Sequence, residues 1–223
     1  MTRPTTRRTV LAGVGIGLSG VSLVGTALAR QGRGAHGSPG ADETATNDAA
    51  ESDDGASTLT EAERDGLRYM REEEKLARDV YLTLHDEWGL SVFANVAESE
   101  QRHVDAMLGL LDRYDVSDPS PEASGTFAND DLQALYDALV ARGRTSAVEA
   151  LRVGGLIEET DMVDIAARIE ETDEATIERV YGNLLDGSEN HLRAFVAVLE
   201  RRGVDYEAQV LSRDDVAAIV DDA

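Results

Sequence analysis

Apolar residues recur at helical spacing from Leu59 to the end of the chain, and no stretch has the two-residue period of a β-strand. The pattern therefore predicts an all-α fold. The predicted helices run from Thr60 to about Trp88, from Ser91 to about Tyr114, from 130 to 142, from Ser146 to about Glu170, from Thr172 or Asp173 to about Arg202, and for a short stretch after Ser212.

Local signals at the helix ends support this division. The predicted N-cap signals are Thr60 with Glu63, Asn129, and Ser146 with Glu149. Gly89 ends the first long helix, and two prolines within 115–128 predict a loop. Four long helices, with a long connection that carries a short extra helix between the second and third, predict a four-helix bundle with a crossover.

The N-terminus has the pattern of a targeting segment. Arg7 and Arg8 precede an uncharged stretch, 9–29, that ends in Ala-Leu-Ala. This arrangement resembles a twin-arginine export signal, so we expect residues 1–29 to be a cleaved signal peptide and the protein to be exported, extracellular or at the cell surface. A retained membrane anchor is the alternative, because 21 uncharged residues could span a bilayer.

The rest of the chain divides by composition. Residues 30–57 are rich in Gly, Ser, Thr and acidic side chains with almost no large apolar residue, which predicts a disordered linker. We expect the helical bundle to occupy 58–203, and a C-terminal extension with a short helix to occupy 204–223. Apart from the N-terminal segment, no contact with a membrane is expected.

Composition narrows the chemistry. The formal charge is −23, with 44 acidic and 21 basic residues, and Lys75 is the only lysine. Such a surface repels nucleic acid, so nucleic acid is excluded as a partner, and the composition resembles that of proteins from salt-loving organisms. There is no cysteine, so any metal site must use carboxylates and the imidazoles of four histidines.

The first two long helices contain three candidate metal ligands. Glu74 interrupts the apolar stripe of the first helix, whereas the neighbouring Glu72 and Glu73 are expected at its solvated edge. Glu100 and His103 are three residues apart, so they share one helix face. Glu74 lies 15 residues before Gly89 and His103 lies 14 after it, which predicts equal heights in an antiparallel hairpin.

The other two long helices contain three more candidates. Glu158 lies on the third apolar stripe with Asp161 beside it, and His191 interrupts the fourth. Folding these helices about Thr172 leaves Glu158 and His191 offset by about five residues, roughly 7 Å, and a longer effective loop would shrink this gap. Buried carboxylates cost several kcal/mol per ion unless paired, which favours a central cation. Oxygen and nitrogen ligands favour iron or manganese, with zinc possible. A structural hydrogen-bond network is the alternative.

Four segments carry a resemblance to the ferritin-like superfamily over residues 60 to about 202, and more narrowly to an archaeal and bacterial domain family of unknown function within it. They are EEKLARDVY ending at Tyr81, AESEQRH (97–103), GGLIEETDMVDI (154–165) and GSENHLRAF (187–195). Di-iron members place a Glu on the first and third helices and a Glu three before a His on the second and fourth. Ser188 occupies the fourth-helix Glu position here, and we expect Asp161 to replace that carboxylate. Glu189, or a site with one metal, is the alternative.

The resemblance implies a di-iron or di-manganese centre that reacts with oxygen or peroxide, as a ferroxidase-like or peroxidase-like oxidoreductase. Tyr81 is then either a redox or hydrogen-bonding neighbour or a core residue. The competing hypothesis is a non-catalytic helical module at the cell surface, in which the Glu/His set is structural or binds a single metal. A homodimer remains open, and a ferritin-like cage is not expected.

Overall fold

The computed structural model describes residues 58–221, which form six α-helices and no β-strand. The helices are α1 (Glu61–Trp88), α2 (Ser91–Arg113), α3 (Asp130–Gly143), α4 (Ala147–Glu171), α5 (Ala175–Glu200) and α6 (Arg213–Asp221). The predicted all-α class is confirmed. The predicted signal peptide and linker, 1–57, lie outside the described residues. No helix within the described range is both long and apolar enough to cross a membrane.

Helix α1 begins and ends as the sequence predicts. The Thr60 hydroxyl accepts a hydrogen bond from the Glu63 backbone N–H at 3.2 Å, and the Glu63 carboxylate accepts one from the Thr60 N–H at 2.8 Å. These bonds satisfy two N–H groups that the helix start leaves without partners. Gly89 ends α1 at φ 64°, a left-handed conformation that a side chain would strain.

Three helix starts differ from the prediction. Ser146 accepts from the Glu149 N–H, but the Glu149 carboxylate pairs with arginines instead of completing a capping box. Helix α2 has Leu90 rather than Ser91 as its N-cap, with no side-chain bond. Helix α5 is capped by Glu174, not by Thr172 or Asp173. The Thr172 hydroxyl instead donates to Glu63, a contact from distant sequence that no local pattern reveals.

The four long helices pack as two antiparallel hairpins, α1 with α2 and α4 with α5. The two hairpins contact each other through α1 with α4 and through α2 with α5. Helix α1 runs antiparallel to α4, because Tyr69 reaches Asp164 whereas Tyr81 reaches the carbonyl oxygen of Gly154. Helices α2 and α4 therefore run in the same direction, and the connection between them must return along the length of the hairpins.

This connection lies along α1. Asp118 pairs with Arg71 at 3.1 Å near its start, and the Gly143 carbonyl accepts from Trp88 Nε1 at 2.9 Å near its end. Between these points, the buried ammonium of Lys75 donates to the carbonyl oxygens of Ala123 and Thr126, each at 3.0 Å. The single lysine of the chain thus fixes the crossover to the core.

The buried interior has two large apolar clusters with a polar layer between them. One cluster is built around the rings of Tyr81, Phe93 and Phe195, whose centroids lie 5.2 to 6.2 Å apart. The other includes Met70 and Met107. The candidate Glu and His residues occupy positions between these clusters, where water is excluded.

The segment after α5 is fixed to α4 by one carboxylate. Glu159 is fully buried and accepts from the backbone N–H groups of Gln209, Val210 and Leu211 and from the Tyr206 hydroxyl. Helix α6 then packs against α5. The predicted short helix after Ser212 is confirmed. The segment before it, 206–211, is held against α4 by these hydrogen bonds.

Candidate metal centre

Helices α1 and α2 bring three predicted ligands together. Glu74, Glu100 and His103 are all buried, at 1%, 2% and 8% exposure. His103 Nδ1 lies 3.2 Å from Glu74 Oε2 and 2.9 Å from Glu100 Oε2. The predicted equal height of Glu74 and His103 about Gly89 is confirmed. Nitrogen and carboxylate oxygens at these separations suit the coordination of one cation.

Helices α4 and α5 supply the opposite half. His191 Nδ1 lies 3.4 Å from Glu158 Oε2, so the two side chains meet despite the axial offset predicted for a turn at Thr172. Helix α5 begins only at Ala175, and the connection 172–174 is centred one residue later than the sequence suggested. The offset is then three residues, about 4.5 Å along the axis, and the glutamate side chain spans the remainder.

Glu100 belongs to both halves. Its Oε2 faces His103 at 2.9 Å, and its Oε1 faces His191 at 2.8 Å. Two groups of ligand atoms, each within 4.8 Å of one another, therefore share this carboxylate: Glu74, Glu100 and His103 form one, and Glu100, Glu158 and His191 form the other. The two imidazole rings lie 5.4 Å apart between centroids. A carboxylate placed in this way can bridge two cations.

Several polar atoms of the centre are buried without a hydrogen-bond partner. They are Glu74 Oε1, Asp161 Oδ1 and His191 Nδ1. The approach of Glu100 to His191 is short, but the ring N–H direction does not have hydrogen-bond geometry. Buried polar groups without partners are costly, so these atoms fit a cation better than they fit one another.

Asp161 lies beside the two groups rather than within them. Its Oδ2 accepts from the Ser188 hydroxyl at 2.5 Å, so Ser188 fills the fourth-helix position and orients the aspartate. Burial, together with the neighbouring charges of Glu74, Glu100 and Glu158, raises the pKa of Asp161. Glu189, the other candidate for this position, instead pairs with Arg193 at 3.0 Å on a less buried face of α5.

Burial and contacts between charged groups oppose each other in setting the pKa values of the centre. Burial raises the pKa of Glu74 to about 7 despite His103, and it raises the pKa of Asp161 well above the usual range. Glu100 is the exception, because its contacts with His103 and His191 outweigh burial and lower its pKa to about 2. The same carboxylates overcome burial in raising the pKa of His103 to about 11 and of His191 to about 10.

Two divalent cations can balance the charges of this ligand set when all four carboxylates are ionised. Four ionised carboxylates (Glu74, Glu100, Glu158 and Asp161) carry −4, and two imidazolium rings would leave −2 buried. Among the ion pairs of residues 58–221, none joins an arginine or lysine to these carboxylates. Two divalent cations with neutral imidazoles would bring the total to zero, which avoids the cost of a buried net charge.

Neighbouring groups fix the ligands. The buried Tyr81 hydroxyl donates a short hydrogen bond to Glu158 Oε1, so this tyrosine is both a core and a hydrogen-bonding residue. Gly187 lies against the outer edge of His103, where a Cβ would come within 2.5 Å of Nε2. Such supporting contacts orient metal ligands in proteins.

Sequence reasoning placed Glu72 and Glu73 at the solvated edge, and the structure contradicts this, because both are buried, at 2% and 5% exposure. Glu72 accepts from the backbone N–H groups of Ala128 and Asn129 in the crossover. Glu73 faces α4. The run of three glutamates was the available signal, because three consecutive residues span about 200° of a helix and cannot all lie at one edge.

The chain is similar to a domain family and to an archaeal protein that are both described as uncharacterized. The sequence profile of an uncharacterized protein domain, DUF2202, matches residues 63–223. Over 163 residues the chain is 47% identical to uncharacterized protein MJ0754 of Methanocaldococcus jannaschii. The match covers 73% of this chain and 88% of that protein. The crystal structure of hypothetical protein MJ0754 matches with a TM-score of 0.72 and 46% identity, over 73% of this chain and 94% of that chain. The chain therefore belongs to the DUF2202 domain family.

Proposed function

We propose that the protein is a ferritin-like metalloprotein with a carboxylate-bridged dinuclear centre. The observation that carries this proposal is the position of Glu100, whose two oxygens face two separate Glu/His pairs. A structural network alone would leave Glu74 Oε1, Asp161 Oδ1 and His191 Nδ1 buried without partners, whereas cations would satisfy them. The antiparallel hairpins and the returning connection fit a ferritin-like bundle, in which such centres lie between facing helices.

The residues divide into two ligand sets around the shared carboxylate. Glu74 and His103 would hold one metal, and Glu158 and His191 the other. Asp161, oriented by Ser188, supplies the fourth carboxylate. A set of oxygen and imidazole ligands without sulfur suits iron or manganese.

When bound, a pair of such metals supplies redox chemistry toward oxygen or peroxide, such as the oxidation of ferrous iron. The protein contributes a dry, ordered site: the apolar clusters on either side exclude water. Tyr81 holds Glu158 in one orientation and provides a hydroxyl proton at its Oε1. We further propose that the protein acts outside the cytoplasm, as its N-terminal sequence suggests.

Metal analysis of the purified protein tests this proposal. Elemental analysis after loading with ferrous iron or Mn²⁺ should find about two metals per chain, and absorption in the near ultraviolet should increase when the iron-loaded protein meets air. Glu100→Gln keeps the shape but removes the shared charge, so it should bind at most one metal. Glu98→Gln, on the exposed face of the same helix, is the matched control and should bind two.

The same assay tests Asp161. Asp161→Asn should lose about as much metal as Glu158→Gln, because both carboxylates contribute to charge balance in the buried centre. Two metals in Asp161→Asn would remove it from the ligand set. One metal in the unmodified protein would support a mononuclear site, and none above background would support the structural network.

A further inference from the structure

A second group of acids lies between α1 and α4, beside the proposed centre. Glu73 is next to Glu74 on α1 and lies one turn after Tyr69. The Tyr69 hydroxyl contacts Asp164 on α4 at 3.4 Å, so Glu73 lies on the α4 side of α1. Asp161, one turn before Asp164, also acts electrostatically on Glu73. The three carboxylates therefore follow one another from the partly exposed Asp164, through Glu73 at 5% exposure, to Asp161 beside the centre.

Two of these acids each have one buried oxygen without a hydrogen-bond partner. These oxygens are Glu73 Oε2 and Asp161 Oδ1. No ion pair with an arginine or lysine reaches the three acids within the described part of the chain. Arg168, one turn beyond Asp164, pairs with Glu171 at 2.7 Å instead. A carboxylate with an unpartnered oxygen beside two others is an arrangement that a cation stabilises.

We propose that Glu73 and Asp164 form a transient binding site for divalent cations, through which metal reaches the centre from the α1–α4 surface. The inference rests on the dinuclear centre proposed above. A cation leaving water at Asp164 would contact Glu73 next and then Asp161, whose free Oδ1 faces the buried side. Each step exchanges one carboxylate for another, so the ion never crosses the apolar clusters unaccompanied.

Tyr69 and Arg168 are neighbouring polar side chains on this face. The Tyr69 hydroxyl donates to Asp164 Oδ2 at 3.4 Å, which is a long hydrogen bond. The Arg168 guanidinium lies 5.6 Å from the centroid of the Tyr69 ring, at the edge of the path. The crossover covers other parts of α1 through Arg71 and Lys75, so the α4 side is the one on which acids reach the surface.

The test measures loading rate and final occupancy separately. Metal-free full-length protein is mixed with Co²⁺, whose visible absorption reports on coordination, in a stopped-flow instrument, and bound metal is then counted at equilibrium. Glu73→Gln and Asp164→Asn should each slow loading at least tenfold and leave the final stoichiometry unchanged. Glu170→Gln, an exposed acid on α4 with the same charge change, is the matched control and should load at the unmodified rate.

The outcomes separate this proposal from the one on which it rests. If the unmodified protein binds no Co²⁺, the centre itself is refuted. If it binds and both variants load at the control rate, the path is refuted while the centre stands. A lower final stoichiometry in Glu73→Gln, in protein whose circular dichroism matches the unmodified fold, would make Glu73 a permanent ligand and would also overturn the transient site.

Discussion

Two glycines of α5, five residues apart, give a sharp test of the geometry around His103. Gly187 has no room for a methyl group, because a Cβ there would lie 2.5 Å from His103 Nε2 and 2.7 Å from Cε1. Gly182 has no atom within 4 Å of the equivalent Cβ position. Substitution by alanine therefore makes the same chemical change on one helix, with a clash in only one case.

The expected magnitudes follow from these distances. Both alanines gain about 0.5–1 kcal/mol of helix stability over glycine. Gly182→Ala should retain this gain, which corresponds to a rise in Tm of about 1–4 °C for a domain of this size. In Gly187→Ala, ordinary contact at 3.4 Å requires the imidazole to move by about 0.9 Å, and overpacking of this kind costs about 1–3 kcal/mol. The difference between the variants isolates that cost.

The same displacement should weaken metal binding. His103 Nδ1 lies 2.9 Å from Glu100 Oε2, so a movement of nearly 1 Å removes it from the position at which these atoms converge. Disturbing the groups that orient a ligand typically lowers affinity by about 10–100-fold. Urea denaturation of metal-free protein and Co²⁺ titration measure the two effects. Equal stability and equal Co²⁺ affinity in the two variants would refute the close packing of His103 on Gly187.

The remaining predictions concern pH and the crossover. In metal-free protein the pKa values of His103 and His191 are raised to about 11 and 10, so protonation of these rings stabilises the folded state. This stabilisation is complete below the unfolded pKa of about 6.5 and declines as pH rises toward 10–11. Urea midpoints between pH 6 and 10 should therefore fall without metal, and a flat profile would contradict the ion pairing. Lys75→Met should lower the unfolding free energy by about 3 kcal/mol or more, because it leaves the buried Asp79 without one partner. A loss below about 1 kcal/mol in urea denaturation would show that Arg78 and Gly125 suffice to hold Asp79.

Features governed by local sequence were predictable. Helix positions follow from the apolar period, and the equal height of Glu74 and His103 follows from counting residues about Gly89. The axial offset of Glu158 and His191 was less well predicted, because a few extended residues between α4 and α5 shift the register by an amount that only the folded connection determines. Counting residues from the turn to each ligand therefore predicts relative height across a tight turn, and it does so less well across a longer connection.

Features governed by distant sequence were not predictable. Glu72 is buried because the crossover, more than 50 residues away, presents two backbone N–H groups to it. Glu159 is buried because residues 209–211 do the same. A carboxylate that serves backbone donors has no partner of complementary charge in the sequence, so composition and periodicity assign it to the surface.

The burial of Lys75 has a consequence for chemical labelling. Lys75 is the only lysine of the 223-residue chain and is 2% exposed, so the folded domain presents no side-chain amine to solvent. Amine-directed reagents and cross-linkers would therefore react with the chain's terminal amine and spare the domain surface. Modification of Lys75 requires the crossover to lift from α1, so the rate of its acylation reports how often that connection opens.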